Sequence, residues 1–351
     1  MRDRDDDPVA RQLQLDELDP TVWNRAVERS SDASVYHRYE FLDVLRAHST
    51  GRLRILGYYS DGELAGAFPL FVFTKGPLDA VLSPPPQLGV PFTGPILLDE
   101  TTIEETNDMA IRRRFLDECR RWLAEELDPV YVRIETTPGF TDPGVFHTRS
   151  RFSIGPQFTY VVDLDRPVEE LFESFSRDAR SNVRSVGEHG YEFRLGGRDA
   201  IERTLRDVHG RYAEQGLSFT ISKQFVTELY ERLPDGVVRP YVLAIDDEYA
   251  CGMVALDWNG TVSRWIGGAK PTVDLPVNDV LDWAAMCDAA ERGRTRYDLV
   301  GANERRIAAY KSKFNPSLVP MQVLEYDTLT TNLLTRTYHR IRNAGITPTL
   351  L

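Results

Sequence analysis

Two lysines stand two positions apart in "IAAYKSKFN", residues 307–315, within a chain that otherwise avoids lysine. Of its 42 basic residues only Lys75, Lys223, Lys270, Lys311 and Lys313 are lysines. An ammonium is compact, strongly hydrated and shifts its pKa readily when buried, which a guanidinium does not. On a helix beginning near Glu304, Ile307, Tyr310 and Phe314 form the apolar face, and Lys311 projects with it one turn after Ile307. A buried ammonium is costly unless it is paired or reaches an anion. The alternative is that Lys311 snorkels, with its stem on the core and its head in water. Lys313 points away and reads as a surface residue.

A second constellation is "EELFESFSRDARSNVRSVGEHG". Leu171, Phe172, Phe175, Ala179, Val183 and Val186 gather on one side at helical spacing, beside a stripe of Arg177, Arg180 and Arg184. The stripe is either solvated, with Glu173 and Arg177 as an i,i+4 pair, or reads phosphate, which guanidinium forks suit. Asn182 projects with the apolar side, where an unpaired amide is costly, so a partner is expected there. A third is "SRWIGGAKPTVDLPVNDVLDWAAMCDAAERG": a strand, a loop and a helix capped at Asn278 or Asp279. It is either an ordinary crossover or an anion site at a helix start, with Gly267 and Gly268 allowing close backbone approach.

The absences narrow the chemistry. No G-x-G-x-x-G, P-loop, G-x-S-x-G, H-E-x-x-H or C-x-x-C occurs, and the six histidines are scattered. Dinucleotide, P-loop, Ser-triad and zinc chemistry therefore have no support, and no metal is expected. Net charge of −12 argues against DNA and disfavours tRNA. No apolar run reaches the roughly eighteen residues that span a bilayer, and "MRDRDDDPVA" lacks the apolar stretch of a secretory signal. Cys119, Cys251 and Cys287 read as small core residues of a reducing compartment, so a cytoplasmic location is expected. An acidic, lysine-poor surface suits a salt-loaded cytoplasm of halophilic type; GC-rich coding produces the same exchange of Lys for Arg.

The elements that must position these residues form an α/β chain with mixed sheets. The first half reads as a strand (11–15), a helix capped by Asp19-Pro20, a helix at 39–48 and a hairpin turning at Asp61-Gly62. A Pro/Gly-rich loop (74–98), a helix (103–127) and the strand "VYVRIE" follow. The second half reads as strand "FTYVVDL", a helix (167–189), strand "YEFRL", helices at 199–215 and 222–232, and a hairpin turning at Asp246-Asp247. Then come strand "VSRWIGGA", a helix ending at Gly293, strand "RYDLVG", a helix (304–313), strand "VPMQVLEY" and a terminal helix. The hairpins "SDGELAGAFPLF" and "IDDEYACGMVAL" share an Asp-turn-Glu-x-Ala…Gly pattern, which suggests duplication. The expected division is an acidic disordered lead (1–10), modules at 11–155 and 156–328, and a C-terminal helix and tail (329–351).

Taken together, the segments from about Trp23 to Phe314 resemble the FemAB-type branch of the GNAT acyltransferase superfamily, with its BioF2-like and CelD-like acetyltransferase domains. "FSRDARSNVRSVGEHGYEF" is similar to the family's basic helix, and "WIGGA…PVNDVLDW…RYDLVGAN…IAAYKSKF" to its run from the fourth strand to an aromatic-Lys pair. The resemblance implies two tandem GNAT-like modules and metal-free transfer of an acyl or aminoacyl group to an amine. The donor it implies is an acyl-CoA such as acetyl-CoA, or alternatively aminoacyl-tRNA. A small-molecule, glycan or envelope-precursor amine would be the acceptor. A non-catalytic envelope-polysaccharide assembly factor is the rival outside enzymes. Tyr310-Lys311 match the aromatic-Lys pair, Arg180, Asn182 and Arg184 the basic helix, and Asn278 the helix start. The glycine-rich pyrophosphate loop of acetyl-CoA enzymes has no counterpart in "KPTVDLPVND". Lys311, Tyr310 and Asp298 are thus the expected catalytic group, with Gly267, Gly268, Ala269, Lys270 and Asn278 toward the donor. Arg180, Asn182, Arg184, Trp265 and Asn303 are the expected substrate contacts.

Overall fold

The computed structural model describes residues 9–60, 62–98, 105–140, 152–267 and 273–327. Asp19 accepts from the N–H groups of Thr21 and Val22 and starts the first helix with Pro20, as the sequence predicts. In chain order the first half gives β1 (Val9–Leu13), α1 (Pro20–Arg29), α2 (Tyr39–His48), β2 (Arg52–Ser60), β3 (Glu63–Lys75), β4 (Leu78–Ser83), β5 (Ile96–Leu97), α3 (Glu105–Trp122) and β6 (Tyr131–Glu135). The second gives β7 (Ser153–Asp163), α4 (Val168–Ser174), α5 (Arg177–His189), β8 (Glu192–Leu195), α6 (Arg198–Glu214) and α7 (Lys223–Arg232). It continues with β9 (Val238–Ile245), β10 (Glu248–Trp258), β11 (Thr261–Gly267), α8 (Val277–Glu291), β12 (Arg296–Asp298), α9 (Arg305–Lys311) and β13 (Ser317–Asp327).

All the strands join one mixed sheet in the order β1-β2-β3-β4-β6-β13-β7-β12-β11-β10-β9-β8, with β5 beside β3. Each half contributes a hairpin, then a strand, a helix and a strand parallel to the first: β4, α3 and β6 in one, β11, α8 and β12 in the other. The internal echo has a structural counterpart. The β2–β3 register skips Ala65 and the β10–β9 register skips Ala250, so both hairpins bulge at the alanine of their shared pattern. β13 pairs with β6 on one side and β7 on the other, which closes the sheet across the middle of the molecule.

Three clusters of buried side chains sandwich this sheet. One packs α3 on the strands of the first half. Another packs α4, α5, α8 and Phe314 on those of the second. The third draws on both halves and sets Phe41 of α2 and Phe225 of α7 around Trp265.

Several boundaries differ from the sequence reading. The segment 74–98 is largely loop, as expected, but β4 and β5 also lie within it, because "LDAVLS" finds ladder partners in both β3 and β6. The helix expected at 167–189 is two helices. Ser176 accepts from the N–H of Ala179 and opens α5, while Arg180 donates to the carbonyls of Glu173 and Phe175 and closes α4. Helix α8 begins at Val277 with Pro276 before it, so Asn278 and Asp279 lie inside its first turn and neither caps it. Residues 1–8 of the acidic lead and the terminal helix fall outside the described residues, while Val9 and Ala10, expected in that lead, are paired with Tyr59 and Tyr58 in β1.

Candidate active site

Parallel strands β11 and β12 pair only at Thr261–Ser263 with Arg296–Asp298. Beyond that point β11 runs on to Gly267, while the other chain turns along β7: Leu299 N–H donates to Tyr160 O, and Ala302 N–H to Phe158 O. The turn carries Val300 at φ 52° and Gly301 at φ 81°. A β-branched residue in the left-handed region is strained by roughly 1–3 kcal/mol and persists only where its surroundings hold it.

Three side chains do so. Asp298 Oδ1 accepts from Thr159 Oγ1 at 2.6 Å and from Val300 N–H at 2.8 Å. Thr159 Oγ1 in turn accepts from Gly301 N–H at 3.0 Å. From α9, which packs over the other face of the sheet, Lys311 Nζ donates to the carbonyls of Val300 and Gly301, at 2.5 and 3.0 Å. Lys311 is 6% exposed. Burial, joined by the charge of Arg264, lowers its pKa to about 8. Lys311 is therefore an inward ammonium, as its spacing predicts, but its hydrogens go to a backbone turn.

The front of this turn faces a cavity of about 200 Å³. Its lining is Pro91 and Phe92 from the loop before β5, Glu135 of β6, Gln157 and Thr159 of β7, Asp298, Val300, Gly301, Asn303 and Met321 of β13. Both halves of the chain thus contribute. Burial raises the pKa of Asp298 and of Glu135. Asn303 holds the rim by pairing with both backbone groups of Phe158. His37, wholly buried, steadies the loop above: its Nε2 contacts Gly94 O, and Gly94 N–H donates to Glu135 O.

The remaining expected residues lie elsewhere. Tyr310 donates to Asp282 Oδ2, inside a buried network in which Arg264 and Tyr297 donate to Asp282 Oδ1. Asn182 finds the partner its position demanded: it donates to Asp279 Oδ2 at 2.7 Å. Lys313 is not a surface residue. It is 15% exposed, ion-paired with Asp279 at 2.6 Å and seated over the Tyr310 ring, because the chain tightens into a 3₁₀ turn at Ser312–Phe314 and swings it inward. Arg184 is exposed and lies over the Phe172 ring, and Arg180 is engaged with carbonyls, so neither faces the cavity. Trp265 donates to Gly89 O and joins the two halves. Gly267 ends β11, where a side chain would meet Met253, and Asn278 is half-buried. Gly268, Ala269 and Lys270 lie outside the described residues.

Sequence reasoning missed Glu135, Gln157 and Thr159. Glu135 ends a recognisable strand, but nothing local says that β13 and β7 bring it near Asp298. Among the described residues, no group of three or more His, Cys, Asp or Glu side chains could hold a metal ion, and no helix is long and apolar enough to cross a membrane.

Residues 173–312 match a family model described as an acetyltransferase (GNAT) domain. That stretch contains α5, the β11–α8–β12 unit, Asp298 and Lys311. Residues 173–312 are thus similar to a GNAT-type acetyltransferase domain, and the chain as a whole has a FemX-like fold. Solved structures similar to this chain include FemX, 13% identical, with 93% of this chain and 99% of that chain covered at a TM-score of 0.68. L-PGS from Bacillus licheniformis is 16% identical, with 91% and 96% covered and a TM-score of 0.54. The C-terminal domain of a putative lysylphosphatidylglycerol synthetase from Agrobacterium fabrum is 11% identical, with 91% and 97% covered and a TM-score of 0.51. No curated protein matches the sequence.

Proposed function

We propose that this protein transfers an acyl group from an activated acyl ester to an amine, with the transfer taking place at the cavity between its halves. The observation that carries the proposal is Asp298, at the divergence of the two parallel strands. Its Oδ1 is occupied by the turn, and its Oδ2 has no partner among the described residues. A buried carboxylate with a raised pKa is a better proton acceptor than an exposed one. The amine nitrogen attacks the acyl carbonyl carbon. As the new C–N bond forms, the bond from that carbon to the leaving oxygen breaks. The nitrogen's proton passes to Asp298 and is returned to the leaving oxygen. Lys311 and Thr159 are positioning residues, since they act through the turn that aims the carboxylate.

Donor chemistry is the finer question. Acetyl-CoA, the thioester expected from the family resemblance, would bring a diphosphate to the start of α8. The described residues there fit that group poorly. Pro276 supplies no N–H, Asp274 is exposed, and the Asp279 carboxylate already takes the charge of Lys313. An ester donor without a diphosphate, such as an aminoacyl ester, meets no such conflict. The Agrobacterium relative's name, lysylphosphatidylglycerol synthetase, supports the same choice. The acceptor is an amine on a small molecule or an envelope precursor.

The test is Asp298→Asn, assayed with aminoacyl-ester and acetyl-CoA donors against a panel of amines. The expected loss in kcat is about 10²–10⁴-fold, the usual contribution of a positioned acid–base group. The wild-type rate should climb with pH as Asp298 ionises, and the variant's should not. An Asn variant as active as wild type, with the same pH profile, would remove Asp298 from the chemistry.

A further inference from the structure

Resting on the reading of the cavity as the acceptor site, we infer that it seats a primary ammonium on a short arm, read by one carboxylate from each half of the chain: Glu135 and Asp298. Each carboxylate has one oxygen engaged and one open. Glu135 Oε1 takes the Arg133 guanidinium at 2.8 Å, and Oε2 has no partner among the described residues. Asp298 has the same arrangement, with its Oδ2 open. Among the described residues, no lysine or arginine lines the cavity. The Val300 and Gly301 carbonyls, which would also attract a cation, are turned to Lys311 on the opposite side.

An incoming ammonium offers three donors and the one charge that this lining lacks. Because Glu135 already shares the Arg133 guanidinium, an incoming carboxylate or phosphate would be repelled chiefly by the Asp298 charge, at low dielectric where repulsion is strong. Size sets the arm. At roughly 30 Å³ per water-sized group, about 200 Å³ holds on the order of six heavy atoms. That is the length of an amino-acid side chain or a short alkylamine. Phe92 offers a ring face, which favours a cation.

An independent observation points to a ligand. Tyr36 is 2% exposed, stacks edge-on against Phe92 at 5.3 Å, and its hydroxyl has no hydrogen-bond partner among the described residues. Burial, joined by the Asp298 charge, pushes its pKa up, so the hydroxyl keeps its proton and remains a donor. A buried hydroxyl without a partner is rare and calls for an explanation. Tyr36 is not itself part of the lining but packs against Phe92, which is, so a polar group that reaches past that ring would supply one.

The test uses the full-length chain and saturation-transfer NMR, with n-butylammonium as probe and n-butanol and butyrate as controls. Butylammonium should bind, and butyrate should not. Glu135→Gln and Asp298→Asn, both close in shape to the native side chains, should each weaken binding tenfold or more while circular dichroism and Tm stay native. Tyr36→Phe should weaken it several-fold. Equal binding of butanol or butyrate, no binding of butylammonium, or full binding by a natively folded Glu135→Gln would each overturn the inference. The broader reading fails separately. If butylammonium binds as described but no amine is acylated by any activated donor, the ammonium seat stands and the transfer does not. If amines are acylated without preference for cations, the transfer stands and the seat falls.

Discussion

Replacing Lys311 by methionine keeps the apolar stem and deletes the ammonium, which exposes what the buried charge does to stability. In the unfolded chain this lysine titrates near 10.5, and in the fold near 8. Between those values the unfolded chain holds a proton that the folded chain has released, so wild-type stability rises as pH rises. A displacement of that size corresponds to about 3 kcal/mol. The methionine variant has no such group and gains nothing over the same range. Urea unfolding followed by tryptophan fluorescence, from pH 7.5 to 10.5, should therefore show the wild type gaining up to about 3 kcal/mol on Lys311→Met. The variant should also lose about 10²-fold in kcat, since a turn displaced by about 1 Å at a reacting group carries that penalty. A stability difference that stays flat across the pH range would mean that the amine is solvated. A native kcat would mean that the Val300–Gly301 turn lies outside the site.

Two further substitutions test the supports of the cavity. Lys313→Met strands the Asp279 carboxylate, 3% exposed, without its cation. The loss should be about 3–5 kcal/mol, and adding Asp279→Asn should recover most of it; equal stability of wild type and the single variant would show the pair to be solvated. His37 is buried in its neutral form, with its pKa lowered to about 4 from 6.5. Its contribution is full above pH 6.5 and is lost as pH falls toward 4, by up to about 3 kcal/mol. In acid titrations followed by circular dichroism, a folded His37→Gln variant should lack that component, and an identical acid limb in both proteins would refute it.

Much of the fold was legible because it is written in local patterns. Asp19-Pro20 starts a helix whatever surrounds it, and the two alternating hairpins announced a repeat whose bulges fall at Ala65 and Ala250. The spacing of Ile307, Tyr310, Lys311 and Phe314 placed an ammonium on an apolar face, and Asn182 was legible as an amide needing a partner. The misses share one cause. The break at Ser176 depends on Arg180 reaching back to carbonyls, and the strand at 78–83 depends on partners far along the chain. Lys313 looked exposed on an ideal helix and is buried because the helix tightens where it meets Asp279.

By itself the sequence determined most of the elements that form, which face of each is apolar, and that one lysine sits on such a face, since these follow from spacing and side-chain solubility. Only the tertiary structure decided what that lysine grips and which carboxylates share a cavity with the turn it holds. Glu135 and Asp298 lie on strands that become near neighbours because β13 and β7 pair between them. Strand pairing over such separations is set by the closing of the whole sheet, and no local stretch of residues carries that information.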